Sequence, residues 1–150
     1  MKSIHNVLSP EATRNAALQR LWAVAILLGA GMETGLVERG LTLARSRLVW
    51  QLQQDGPSTQ QALSRALRVT PRNITGLVDA LVADGVVVGK AHPSDRRATL
   101  VSLTAKGRSL ARGMGRDQDD FAQKLFEGFT PGDLAKFSTV LDRVLAQIRR

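Results

Sequence analysis

The chain contains no cysteine, which removes disulfides, thiolate nucleophiles, thiolate-ligated zinc, iron–sulfur clusters and thiol redox sensing together. Its two histidines, His5 and His92, lie far apart in no metal-ligand spacing, so no metal site is expected. Tyrosine is absent and aromatic residues make up only 4%. Proteins that hold single-stranded nucleic acid stack bases on several exposed rings, so that class is disfavoured. No nucleophile–base pair, phosphate-cradling glycine loop or cluster of catalytic carboxylates is present, and Asp117, Asp119 and Asp120 read as a solvated stretch of helix. Neither an enzyme nor a cofactor is expected. A polar stretch follows Met1-Lys2-Ser3 where a leader would place an apolar core. The longest apolar run, Leu21 to Met32, contains Gly29 and Gly31 and is shorter than the ~20 residues that span a bilayer. The expectation is a cytoplasmic protein with no membrane partner, in which that run is a buried helix.

What the chain does have is positive charge. Its 150 residues match about one domain on the usual prior, and 21 Lys and Arg stand against 13 Asp and Glu, a net +8. That balance favours an anionic partner, nucleic acid first and an acidic membrane surface second.

Apolar spacing is helical almost everywhere. From about Glu11, Leu18, Leu21, Trp22, Ala25 and Leu28 line one face of a helix, and Val24, Ile26 and Leu27 make the opposite face apolar too. Such a helix must be covered on several sides, partly by a second subunit in a chain this short. Gly40 marks a break, and Leu41, Leu48, Val49 and Leu52 build a second helix that ends before Asp55-Gly56-Pro57. Ser58-Thr59-Gln60-Gln61 reads as a capping box with Ser58 as the cap, opening a short helix through Leu63 and Leu67. Thr70-Pro71 supplies a cap followed by proline at the first helical position. The helix it opens buries Ile74, Leu77, Val78, Leu81 and Val82, and Asp84-Gly85 ends it. The one strand-like window follows: Val86-Val87-Val88, a turn-rich loop from Gly89 to Arg97, then Thr99 to Leu103, which together predict a hairpin. Thr104 caps a further helix toward Phe126, weakened at Gly113 and Gly115. Thr130 caps a last one whose stripe, Leu134 to Ile148, is longer than a small domain needs.

Two short helices joined by a tight turn and followed by a basic-tipped hairpin predict a mainly α fold with a β-hairpin wing, a winged helix-turn-helix. Its second helix would enter the DNA major groove. Eight basic and three acidic residues lie between Ser58 and Arg108, a net +5 in about a third of the chain, so the excess sits where groove contact is expected.

The stretch from Leu41 to Gly107 also resembles the multiple-antibiotic-resistance regulator (MarR) family of bacterial transcription factors. The resemblance is carried by Gly56-Pro57-Ser58-Thr59, by Thr70-Pro71-Arg72-Asn73-Ile74-Thr75-Gly76-Leu77-Val78-Asp79-Ala80-Leu81, and by Asp84-Gly85-Val86-Val87. Its strongest part is Asp95-Arg96-Arg97-Ala98 leading into Leu103-Thr104-Ala105-Lys106-Gly107. It implies a single domain over 1–150, with 41–103 as the DNA-binding region and 11–38 and 104–149 mainly as dimerisation helices. It also implies a homodimer on an inverted-repeat operator, acting more as repressor than activator, and a small lipophilic or aromatic anion as effector. Trp22, Met32, Arg45, Arg47 and Trp50 are plausible lining for an effector, but aromatic and Met residues at helical spacing are more often core, so no effector site is assigned. The competing expectation is a winged-helix architectural or protein-docking module without sequence preference.

Roles follow for individual residues. Arg72, in the first turn of the recognition helix, can reach guanine O6 and N7 or clamp a phosphate. Asn73 can read adenine or serve the helix terminus. Thr75 suits a phosphate or a thymine methyl. Gly76 either admits the groove edge to the backbone or is a tolerated weak spot. Ser58, Thr59 and Gln60 stand at a helix N-terminus that suits a phosphate, or simply cap it. By the family's pattern, Arg97 enters the minor groove with Asp95 orienting it through a charge-assisted pair, and Arg96 holds phosphate. Lys90 and His92 add general attraction.

Overall fold

The computed structural model describes residues 9–150; the expectations placed on Met1-Lys2-Ser3 and His5 lie outside them. In chain order the elements are α1 (Pro10–Glu38), α2 (Leu43–Asp55), β1 (Ser58–Thr59), α3 (Gln60–Leu67), α4 (Pro71–Ala83), β2 (Val87–Ala91), β3 (Thr99–Leu103), α5 (Ala105–Leu125) and α6 (Pro131–Ile148). They fall into two compact units, Met1–Ala111 and Arg112–Arg150.

The core of the first unit joins Leu48, Val49 and Leu52 of α2, Leu63 and Leu67 of α3, Ile74, Val78 and Leu81 of α4, and Val87 and Val101 of the sheet. Spacings of three and four on each helix put these side chains on one stripe, so three short helices close around a single apolar centre. Arg47 of α2 ties the bundle further by donating from Nη2 to the Leu67 carbonyl at 3.2 Å. Val82, expected in the same stripe, is 46% exposed. It lies at the stripe's edge in the last turn of α4, where the chain is already leaving the core.

The hairpin is part of a three-stranded antiparallel sheet ordered β1-β3-β2. Two features differ from the sequence reading. Strand β2 runs on through Gly89, Lys90 and Ala91, which had been placed in the loop, because they pair with Val101, Leu100 and Thr99. Ser58 is not a cap: it pairs with Val101 in β1, and its hydroxyl donates to the Gly56 carbonyl at 2.9 Å. The cap of α3 is Thr59, whose Oγ1 accepts the Ala62 amide at 3.1 Å. A strand pairing from forty-odd residues downstream shifts the helix start by one residue.

Elsewhere the local chemistry holds. Thr70 accepts the Asn73 amide and Thr104 the Gly107 amide, and α4 ends through Asp84 into Gly85 at φ +68°. The turn between α3 and α4 passes through Arg68 at φ +54°, the one positive-φ residue other than glycine among the described residues.

Helix α1 departs from expectation more fully. None of its residues is buried, and Trp22 and Leu27 are 61% and 72% exposed. A helix apolar on every face can rest only one side on its own chain, so the expected burial is not met within the single chain. Although the run from Leu21 to Met32 is short, α1 as a whole is long and apolar enough to cross a membrane, with an 18-residue stretch of mean hydropathy 1.4. Averaging carries the apolar character across the glycines that interrupt the run.

In the second unit, Phe126 packs edge-on against Phe129 and Phe137, with ring centroids 5.9 and 6.0 Å apart. Thr130 and Asp133 form a reciprocal capping box at the start of α6. The Thr130 hydroxyl and amide both donate to the Asp133 carboxylate and hold its pKa below the ordinary value. None of α6 is buried, and Phe137, Val140, Leu145 and Ile148 remain exposed.

Candidate nucleic-acid interface

Helix α4 is held by one face and bare on the other. Ile74, Val78 and Leu81 are fixed in the core, while Arg72, Asn73, Thr75, Gly76 and Asp79 are exposed. Thr70 as cap and Pro71 at the first helical position set where the helix begins, so Arg72 and Asn73 project from its first turn. A Cβ built on Gly76 would meet nothing within 4 Å. The chain itself therefore leaves open the space over that glycine.

Thr75 and Gln60, assigned separately, are brought together. The Thr75 hydroxyl lies 3.0 Å from Gln60 Oε1 and 3.0 Å from the Pro71 carbonyl, so it shares its proton between a neighbouring helix and its own. This bond links the first residue of α3 to the second turn of α4. Ser58 and Thr59 are tied into the sheet through Val101 and Leu100, so the start of α3 and the wing stand on one framework.

At the wing tip, Asp95 does not pair with the Arg97 guanidinium. Its Oδ1 accepts the Arg97 backbone amide at 2.9 Å, the two-residue reach of an Asx turn, which satisfies a turn amide and leaves both arginine side chains exposed. The His92 amide to the Ala98 carbonyl and the Ala98 amide to the Asp95 carbonyl close the loop, each at 3.1 Å. Inside it, His92 Nδ1 accepts the amides of Ser94 and Asp95, both at 3.2 Å. The sequence reading gave His92 only general attraction. Its offsets of two and three residues to Ser94 and Asp95 are those of a capping side chain, and this was the available signal.

The cations divide by what they touch. Arg65, Arg68, Arg72, Lys90, Arg96 and Arg97 are exposed, whereas Lys106 donates to the Asp84 carbonyl at 2.7 Å and Arg108 to the Leu103 carbonyl at 3.0 Å. The last two brace the junction of α4, the wing and α5. Arg45, considered for an effector, lies 3.7 Å from Asp84. Two cavities of about 390 and 810 Å³ open in the second unit, lined by residues between Asp120 and Lys136. Trp22, Met32, Arg45, Arg47 and Trp50 line neither.

Such a bare helix face beside an arginine-tipped wing can donate hydrogen bonds to base edges and phosphates of duplex DNA. Comparison with known proteins bears on the family and the fold. A family model described as the MarR family matches residues 41–99. The HTH-type transcriptional repressor YetL of Bacillus subtilis is 28% identical over 113 residues, 74% of this chain and 59% of that protein, so the match spans well under two thirds of the relative. Among solved structures, a MarR family protein from Bacillus stearothermophilus superposes with a TM-score of 0.80 at 18% identity, covering 95% of this chain and all of that one. Streptococcus pneumoniae FabT in complex with DNA superposes at 0.82 and 19% identity, covering 91% and 97%.

Proposed function

We propose that this chain, whose residues 41–99 match the MarR family model, is a member of that family, a regulator of transcription that binds duplex DNA sequence-specifically as a homodimer and acts as a repressor. The observation that carries the reading is the presence of two exposed elements in one compact unit: the open face of α4 at Arg72, Asn73 and Gly76, and the wing tip at Arg96 and Arg97. On this reading Arg72 and Asn73 address base edges in the major groove, Arg97 the minor groove, and Arg96, Lys90 and the start of α3 at Ser58, Thr59 and Gln60 the phosphates. The fold supports it through a likeness to a protein solved on DNA, and the repressor sense through the name of a relative.

The homodimer is supported by apolar surface that the chain leaves bare. Leu18, Trp22, Ile26 and Leu27 on α1, and Val140, Leu145 and Ile148 on α6, are all exposed, a quantity that single soluble chains rarely tolerate. A two-fold dimer would address a pseudo-palindrome with half-sites about one helical turn apart, roughly 10 bp. The two cavities described are not lined by the residues considered for a small lipophilic anion as the releasing effector, and the reading rests on DNA alone.

Selection from a random duplex pool at physiological salt, with purified protein, tests specificity and symmetry together. An enriched inverted repeat is the expected result. Salt-sensitive binding without enrichment overturns the regulator reading in favour of an architectural or docking module.

A further inference from the structure

His92 stands at the base of the wing tip with its ring turned onto the loop it opens. A backbone N–H can only donate, so the two amides that reach Nδ1, from Ser94 and Asp95 at 3.2 Å each, require a bare lone pair there. The Ser94 hydroxyl lies at the same distance from the same atom. Two amide donors thus converge on one ring nitrogen with the hydroxyl beside them, and a ring that accepts both amides there is neutral with its proton on Nε2. Around it, Asp95 Oδ1 gathers the Arg97 amide, and the His92 and Ala98 amides close the base of the loop. Pro93, Ser94, Asp95, Arg96 and Arg97 are all exposed, and the hydrogen bonds described for the turn come from residues 92–98 themselves. The conformation that presents the two arginines therefore depends on side-chain acceptors, His92 on one half and Asp95 on the other.

We propose that His92 is the positioning residue of the wing tip: by accepting the Ser94 and Asp95 amides at Nδ1, its neutral ring holds the turn that presents Arg96 and Arg97 to DNA. The inference deepens the reading of the chain as a sequence-specific DNA-binding regulator and rests on it. A proton on Nδ1 would put a third donor where the two amides already point, and the turn loosens when that atom carries one. The same proton adds a cation beside Lys90 on β2 and Arg96 and Arg97 on the tip, with Asp95 the one acidic neighbour there; β3 contributes no ionisable side chain. A merely electrostatic histidine would strengthen all DNA binding on acidification. A positioning histidine weakens the specific mode relative to the nonspecific one, because fixed geometry is what separates them.

The test uses the full chain, the duplex enriched from the random pool and a random duplex of equal length, between pH 8 and pH 5.5. For the natural protein, the ratio of specific to random affinity is expected to fall about 3- to 10-fold on acidification, the scale of one or two exposed hydrogen bonds. His92→Asn places an acceptor at the Nδ1 position that does not titrate, and should keep the high ratio at both pH values. His92→Ala should show the low ratio at both. In the DNA-free protein, the amide resonances of Ser94 and Asp95 should follow protonation of the His92 ring in a pH titration followed by NMR. Amides indifferent to the ring overturn the inference, as does an Asn variant with the same pH dependence as the natural protein. If no duplex is enriched, the regulator reading fails, while the amide titration still decides whether His92 organises the tip.

Discussion

The carbonyl oxygen of Val86 occupies the space into which any side chain at position 107 would grow. A Cβ on Gly107 would penetrate that oxygen and lie 3.1 Å from Leu103 Cδ2. The same oxygen accepts the Thr104 amide at 3.0 Å, the Thr104 hydroxyl lies 2.6 Å from the neighbouring Gly85 carbonyl, and Lys106 reaches Asp84. The run Leu103-Thr104-Ala105-Lys106-Gly107 is thus a clasp between the first turn of α5 and the end of α4.

Gly107→Ala should therefore destabilise the protein by about 1–3 kcal/mol, the range for overpacking against atoms that cannot move aside. Urea unfolding followed by circular dichroism measures it. An unchanged midpoint would mean that the clasp gives way at no expense.

Gly76 should behave in the opposite sense. Nothing in the chain lies within 4 Å of its missing Cβ, and alanine is favoured over glycine in a helix by roughly 1 kcal/mol. Gly76→Ala should raise stability by up to that amount and weaken binding to the selected duplex. A variant that gains stability with no change in DNA affinity would show that the groove does not approach the backbone here.

Much of this was legible in the sequence, and the boundary is physical. Thr70, Thr104 and Thr130 cap helices three residues ahead of them, an interaction contained within four residues. The stripe Ile74, Val78, Leu81 needs only helical periodicity. By contrast, Ser58 looks like a cap until Val101 claims it for a strand and leaves the capping to Thr59, and the reach of β2 to Ala91 is decided by Thr99 opposite. At the tip, the family resemblance implied that Asp95 pairs with Arg97. Whether the carboxylate meets a guanidinium or an amide depends on the turn that Ala98 closes. The bareness of α1 was foreshadowed by its apolar second face, but how little its own chain would cover could be learned only from the packed chain.

The two wing arginines should separate by the shape of their effect. Arg97→Ala is expected to lose about 1–3 kcal/mol of binding at A·T-rich positions beside the half-sites and less elsewhere. Arg96→Ala should weaken binding to all duplexes alike and lower the slope of log affinity against log salt by about one. Titrations of both variants at several salt concentrations decide it. A uniform loss for Arg97→Ala would make it a phosphate contact.

Acid should release the start of α6. Because Thr130 holds the Asp133 pKa below its usual 3.8, the ionised carboxylate stabilises the folded form above that value, and the contribution disappears as pH falls through the lower native one. Asp133→Asn should unfold earlier than the natural protein at pH 6, and the gap between their thermal midpoints should narrow as pH falls below 3.8. A gap that stays constant with pH would remove ionisation as its cause.

On the proposed reading of the chain as a DNA-binding protein, the turn at Arg68 sets stability against positive charge in a single residue. A left-handed backbone is the conformation glycine adopts freely, and any other side chain there is held under strain. Replacing Arg68 with glycine would relax the turn between α3 and α4 and delete a cation from the exposed set that flanks the reading helix. The position is thus a conflict of interest built into the backbone. A search for hardier variants would be drawn to it early, and the variants it found would stand firmer while holding DNA less well.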